Sequence, residues 1–151
     1  MEALIEKLRL LQSSTFIYYT KAQGYHWNVE GILFEQFHSM FGDIYNDALS
    51  AIDGFAEWVR IFGEKAVFDV QSNLANSNVR YDLGPEDSNP VQMLQSLLAS
   101  NEQLISDLNE AFDIATESRQ QGVANFFADR IAAHEKWRWK ITSSLKSIVN
   151  N

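Results

Sequence analysis

The chain has 151 residues, 46% of them hydrophobic and only two of them proline, which suits one compact domain with a proper core and leaves no room for a second. A formal charge of −8 attracts cations and disfavours nucleic acid, while the absence of cysteine excludes disulfides, iron–sulfur clusters and zinc–thiolate sites. No apolar run reaches membrane-spanning length, and Glu2, Glu6 and Lys7 interrupt any secretion signal, so a soluble cytoplasmic protein is expected.

Helix one is predicted from about Glu2 to Trp27 on the stripe Leu4, Leu8, Leu11, Thr15, Tyr18 and Ala22. Asn28 to Gly31 then reads as a short turn that folds the end of this helix back beside the start of the next. From Phe34 to Phe62 there is no proline, and Phe34, Phe37, Phe41, Ile44, Ala48, Ile52, Phe55, Val59 and Phe62 recur as in a long amphipathic helix. The segment Glu64 to Asn89, with Asn73, Asn76, Asn78, Gly84 and Pro85, reads as a connection. It is long for a helix–helix loop and suits a crossover joining two parallel helices end to end, with Leu74 on a short helix inside it.

Helix three is predicted to open with Asn89 as N-cap and Pro90 at the first helical position, to continue on Leu94, Leu97, Leu98, Ile105, Leu108, Phe112 and Ala115, and to end near Arg119. Helix four follows on Val123, Phe127, Ile131, His134, Trp137, Ile141, Leu145 and Ile148. No strand pattern, internal repeat or low-complexity tract competes, so residues 1–151 form a single all-α bundle.

Chemistry concentrates between Gly24 and Gly63, where two of the three histidines and the tightest carboxylate pair lie. His26, His38, Asp53 and Glu57 offer imidazole nitrogen and carboxylate oxygen, a donor set for a borderline or hard metal ion. Asp53 and Glu57, four residues apart, share one helix face. On a projection of helix two, His38, Asp53 and Glu57 fall beside the apolar stripe together with Glu35, Gly42, Leu49 and Ala56, and the two small residues would let another helix approach. Yet His38 and Asp53 stand about 22 Å apart along one helix, at 1.5 Å per residue, too far to touch one ion. Two chains must therefore share a site if both are ligands. An antiparallel copy crossing near Asn46 and Asp47 makes two equivalent sites, each with His26 and His38 from one subunit and Asp53 and Glu57 from its mate. The plainer alternative is incidental polar residues on a solvated helix, but facing carboxylates beside histidine are costly without a cation.

The elements His26-Trp27-Asn28-Val29-Glu30-Gly31, Phe34, His38, Asp53, Ala56-Glu57 and Phe62-Gly63, with His134-Glu135-Lys136, Trp137 and Trp139 further on, resemble the signature of the Dps family of mini-ferritins. The resemblance implies a ferritin-like four-helix subunit with its long crossover between helices two and three. It also implies a hollow dodecamer and an intersubunit ferroxidase centre that oxidises Fe(II), usually with hydrogen peroxide, and stores Fe(III). One departure is plain: an aspartate is common in the family four residues after the second histidine, where this chain has Gly42, with Asp43 pointing about 100° away. One iron position is thereby short of a ligand, and Glu35 is the nearest substitute.

The resemblance gives Trp27 the role of yielding an electron near the site, against a plain interface aromatic. It also matches Asp129 to an acidic three-fold pore, where Asn125 replaces a second common acid. His134 sits on an apolar stripe and reads as a satisfied core histidine; Trp58, Trp137 and Trp139 read as packing. Some Dps relatives compact DNA through a lysine-rich tail, but here Glu2, Glu6, Lys7 and Arg9 nearly cancel, so nucleic acid binding is not expected. Gly42 keeps a third reading open, a shell whose ferroxidase activity is impaired.

Overall fold

A computed structural model gives residues 1–82 and 89–149, without the side chains of 147–149; Gly84, Pro85 and the side chain of Ile148 lie outside the described residues. Four long helices form the bundle: α1 (Glu2–Asn28), α2 (Phe34–Ile61), α4 (Pro90–Glu117) and α5 (Gln121–Val149). The short α3 (Val70–Asn76) sits in the crossover, where the residues around Leu74 predicted it. Helix α1 packs chiefly on α2, α4 on α5, and α1 against α4, so α1 and α4 join the two hairpins. Among the described residues there is no strand, and no helix is long and apolar enough to cross a membrane.

The predicted stripes face inward. Leu4, Leu8, Leu11, Tyr18, Phe41, Phe55, Leu94, Leu97 and Phe127 are fully buried, and burying a side chain of that size stabilises by about 1.5–3 kcal/mol. Helix ends follow local chemistry. The Asn89 side chain accepts hydrogen bonds from the N–H groups of Val91 and Gln92, with Pro90 in the first turn. At the end of α2, Gly63 takes φ 90° while its N–H reaches the Arg60 carbonyl and the Glu64 N–H reaches that of Val59. The end of α4 repeats this geometry with an arginine: Arg119 has φ 58°, its N–H bonds to Thr116, and the Gln120 N–H bonds to Ala115.

Side chains of α1 hold the crossover where strand partners are lacking. Gln12 donates to the Val67 carbonyl at 2.8 Å and accepts from its N–H at 3.1 Å, and Ser14 accepts from the Asn78 N–H. The buried Lys21 ammonium pairs with Asp82 at 2.9 Å and donates to Ser100. Burial pulls the Lys21 pKa down, against the opposing hydrogen bond and charge of Asp82.

Candidate metal centre

Helix α1 ends at Asn28, Val29 is extended, and Gly31 at φ 118° completes the turn, so the last turn of α1 lies against the first turns of α2. That return brings His26 onto His38. Their rings stack with centroids 3.8 Å apart and planes 14° from parallel. His26 Nδ1 lies 2.5 Å from the His38 carbonyl oxygen, and His38 Nδ1 lies 2.7 Å from that of His26. A carbonyl only accepts, so both Nδ1 atoms carry a hydrogen, and Nε2 is the ring nitrogen left to each histidine for a ligand. Phe34 stacks on the outer side of His38 at 4.8 Å, and Tyr45 meets His26 edge-on at 5.2 Å.

Gly42 supports this arrangement. A Cβ there would stand 3.1 Å from both Cε1 and Nδ1 of His26, so the imidazole rests on the bare backbone of α2. The expectation that Gly42 opens a notch for another helix is thereby corrected, since the chain's own histidine fills it. Glu35, the expected substitute, is exposed.

Asp53 and Glu57 are exposed, further along α2, beside half-buried Ala56 and the 47% exposed Leu49. Among the described residues, no three histidine or acidic side chains of one chain come together as a metal-holding group. The histidine pair and the carboxylate pair thus stay apart within the subunit. Trp27 projects outward, 66% exposed. Asp129 and Asn125 are exposed near the start of α5.

His134 behaves as a core residue. Fully buried, it donates from Nδ1 to Asn101 Oδ1 at 2.7 Å and accepts at Nε2 from Arg130 at 3.3 Å. Burial, helped by the Arg130 charge and opposed by Asp47, pushes its pKa down to about 3. Tyr18 and Asn101 complete this part of the network, the Tyr18 hydroxyl donating to Asn101. Arg130 also grips Asp47 with two hydrogen bonds of 3.0 and 2.8 Å, and Trp137 donates to the same carboxylate. Burial alone would raise the Asp47 pKa, but the Arg130 bonds and charge and the Trp137 bond outweigh it and hold it low. The sequence reading had His134 as a satisfied core histidine but named neither the partners that satisfy it, Asn101 and Arg130, nor the pairing of Arg130 with Asp47. Trp58 packs on Phe62 and over Gly122, as expected, but Trp139 is 64% exposed, which corrects its reading as packing.

Residues 5–149 match the Ferritin-like domain family. The chain belongs to that family. Within the ferritin-like proteins its likeness is to Dps. A DNA protection during starvation protein of Brevibacillus brevis is 27% identical over 130 residues, covering 86% of each chain. The X-ray structure of Dps from Thermosynechococcus elongatus superposes with a TM-score of 0.91 at 26% identity, over 95% of this chain and 90% of that one. The crystal structure of the Dps protein from Vibrio cholerae O1 gives a TM-score of 0.91 at 23% identity, over 95% and 89%, a likeness of fold alone. The resemblance read from the histidine and carboxylate motifs is borne out at the level of family and fold.

Proposed function

We propose that this chain is the subunit of an iron-storing ferroxidase whose centre is shared between two chains. The observation that carries the reading is the reciprocal hydrogen bonding of His26 and His38, which commits both Nδ1 atoms to backbone carbonyls and leaves Nε2 as the ring nitrogen each can offer a metal ion. Fe(II) is the substrate. His26 and His38 of one subunit, with Asp53 and Glu57 of its two-fold mate, supply nitrogen and oxygen donors suited to that ion. The Vibrio cholerae protein is described as one of the ferritin-like diiron-carboxylate proteins, which agrees with this donor set.

In the proposed reaction two Fe(II) ions each give one electron to hydrogen peroxide. Its O–O bond breaks, two protons are taken up and two waters form, so no hydroxyl radical is released. The protein contributes fixed ligands that hold both ions close. Trp27, beside His26 in sequence and exposed, gives the second electron when only one Fe(II) has reacted, so that the hydroxyl radical formed takes up that electron and a proton and becomes water. Fe(III) then moves to acidic residues inside a hollow homo-oligomer, proposed as a dodecamer of two-fold dimers in the cytoplasm.

Gly42 favours an unequal pair of positions, because a carboxylate common in Dps is missing from one of them. An anaerobic Fe(II) titration followed by a peroxide pulse tests the reading. Rapid growth of Fe(III) absorbance is expected for the wild type and its near loss for His26→Ala. Equal oxidation by both would remove the centre from these residues.

A further inference from the structure

The two imidazoles belong to a longer row of rings. Tyr19 stands seven residues before His26 on α1, and Tyr45 seven residues after His38 on α2. The antiparallel packing that sets His26 on His38 therefore also sets Tyr19 on Tyr45, about two helical turns away. Ring centroids follow one another from Phe34 to His38 at 4.8 Å, to His26 at 3.8 Å, to Tyr45 at 5.2 Å, to Tyr19 at 6.0 Å and to Phe16 at 6.4 Å. Each step is an aromatic contact, so the row is continuous along the α1–α2 seam. Its two ends are phenylalanines. Both tyrosines are half-buried, and the Tyr19 hydroxyl accepts a hydrogen bond from the Gln23 amide at 3.0 Å. Packing alone would be served by phenylalanine throughout, whereas a phenol adds an electron and a proton that can leave together.

We propose that Tyr45 and Tyr19 form an electron relay, which lets a centre holding a single Fe(II) complete the reduction of peroxide. The inference rests on the ferroxidase reading above. There two imidazoles and two carboxylates serve two ions, so one position fills before the other and peroxide meets singly loaded centres. A lone Fe(II) gives one electron as the O–O bond breaks, leaving Fe(III), hydroxide and a hydroxyl radical. The radical takes an electron from Tyr45 through the His26 ring, together with a proton, and becomes water; the hydroxide takes a proton and becomes a second water. Tyr45 releases its phenolic proton to solvent and is left as a neutral tyrosyl radical. Tyr19 shares the vacancy by the same exchange of an electron and a proton. The next Fe(II) to bind returns the electron, a proton comes back from solvent, and the phenol is restored beside a second Fe(III). The sum is that of the two-ion reaction: two Fe(II), one peroxide and two protons give two Fe(III) and two waters. Trp27 offers an electron from the other side, but it is 66% exposed and a radical left on it is open to solvent. The tyrosines are joined to His26 by ring contact.

The test loads the protein anaerobically with one Fe(II) per centre, adds hydrogen peroxide and freezes it within milliseconds for electron paramagnetic resonance. The wild type is expected to show a tyrosyl signal that narrows when the chain is made with ring-deuterated tyrosine and that disappears when more Fe(II) is added. Tyr45→Phe keeps a ring against His26 and is expected to lose the signal, while hydroxyl radical captured by a spin trap rises several-fold. Tyr45→Trp restores an oxidisable ring and is expected to bring the trapped radical back down, which a purely packing role would not do. Tyr19→Phe is expected to keep the signal and shorten its life several-fold. Fe(II) oxidation by the wild type without a tyrosyl signal, or a signal that survives Tyr45→Phe, overturns the relay and leaves the ferroxidase reading standing. A wild-type radical untouched by the tyrosine label assigns the electron to an indole such as Trp27 and overturns the relay likewise. A wild type that oxidises no Fe(II) even at two ions per centre removes the ferroxidase reading, and the relay with it.

Discussion

His26 and His38 clasp each other: each Nδ1 donates to the other residue's backbone carbonyl while the rings stack 3.8 Å apart. In the proposed shared centre the carboxylates are Asp53 and Glu57, which at about 1.5 Å per residue lie too far along α2 to come from the same chain. A His38→Ala subunit and an Asp53→Ala subunit are therefore each expected to be nearly inactive. Unfolded and refolded together, they should recover up to about a quarter of wild-type oxidation, because random pairing makes half the dimers mixed and each mixed dimer has one intact site. No recovery in particles containing both subunits would rule out division of the ligands between chains.

Gly42→Ala probes the seat of His26. Alanine favours a helix by about 1 kcal/mol over glycine, yet its Cβ would press within 3.1 Å of the imidazole. The His26 hydrogen bond to His38 limits any retreat. Melting temperature is expected to stay within a few degrees while Fe(II) binding weakens on the order of ten-fold, the usual cost of disturbing a ligand's orientation. Unchanged binding in calorimetry would show that the seat does not matter.

The pH dependence of stability follows from His134. Its folded pKa, about 3, lies below its ordinary 6.5, so between these values the unfolded chain binds a proton that the folded chain refuses. Stability then falls as pH falls through that window, by up to about 1.4 kcal/mol per pH unit. The depressed Asp47 carboxyl acts in the same direction, since its contribution is present above the unfolded value and is lost in acid. Urea melts of wild type and His134→Gln between pH 7 and pH 4 check this. The variant should be less stable at pH 7 and have a flatter profile; parallel profiles would remove His134 as the cause.

Arg119 occupies a left-handed backbone position that glycine adopts freely, as Gly63 does at the end of α2. Arg119→Gly is expected to raise unfolding free energy by about 1 kcal/mol. A drop in thermal midpoint would mean that the arginine side chain contributes more than the strained φ costs.

Much of the fold was legible because helix signals are local. Asn89-Pro90 marks its cap within three residues, and the Phe34 to Phe62 stripe repeats with the helix turn. The partners in the candidate site were legible through spacing, since twelve residues and one tight turn bring His38 back to His26. The Arg130–Asp47 pair was not, because 83 residues separate its members and no periodicity links them. Gly42 misled for a related reason: a missing side chain shows that something fits there, and only the packed helices show that it is His26. Trp139 was misread although it stands off the stripe through Trp137 and Ile141; helical spacing alone turns it away from the bundle, and it is 64% exposed.

The Arg130 clamp on Asp47 also fixes how α5 slides along α2. A slip of one helical turn, about 5.4 Å, would strand a nearly buried guanidinium without its carboxylate, at a cost of about 3–5 kcal/mol. Apolar side chains tolerate such a slip far better, because one methyl group replaces another at the contact. The clamp therefore works as an alignment key. In the proposed shared centre it sets the height at which Asp53 and Glu57 are offered to a neighbouring chain, and a bundle shifted by one turn would still bury its core while presenting those carboxylates at the wrong level.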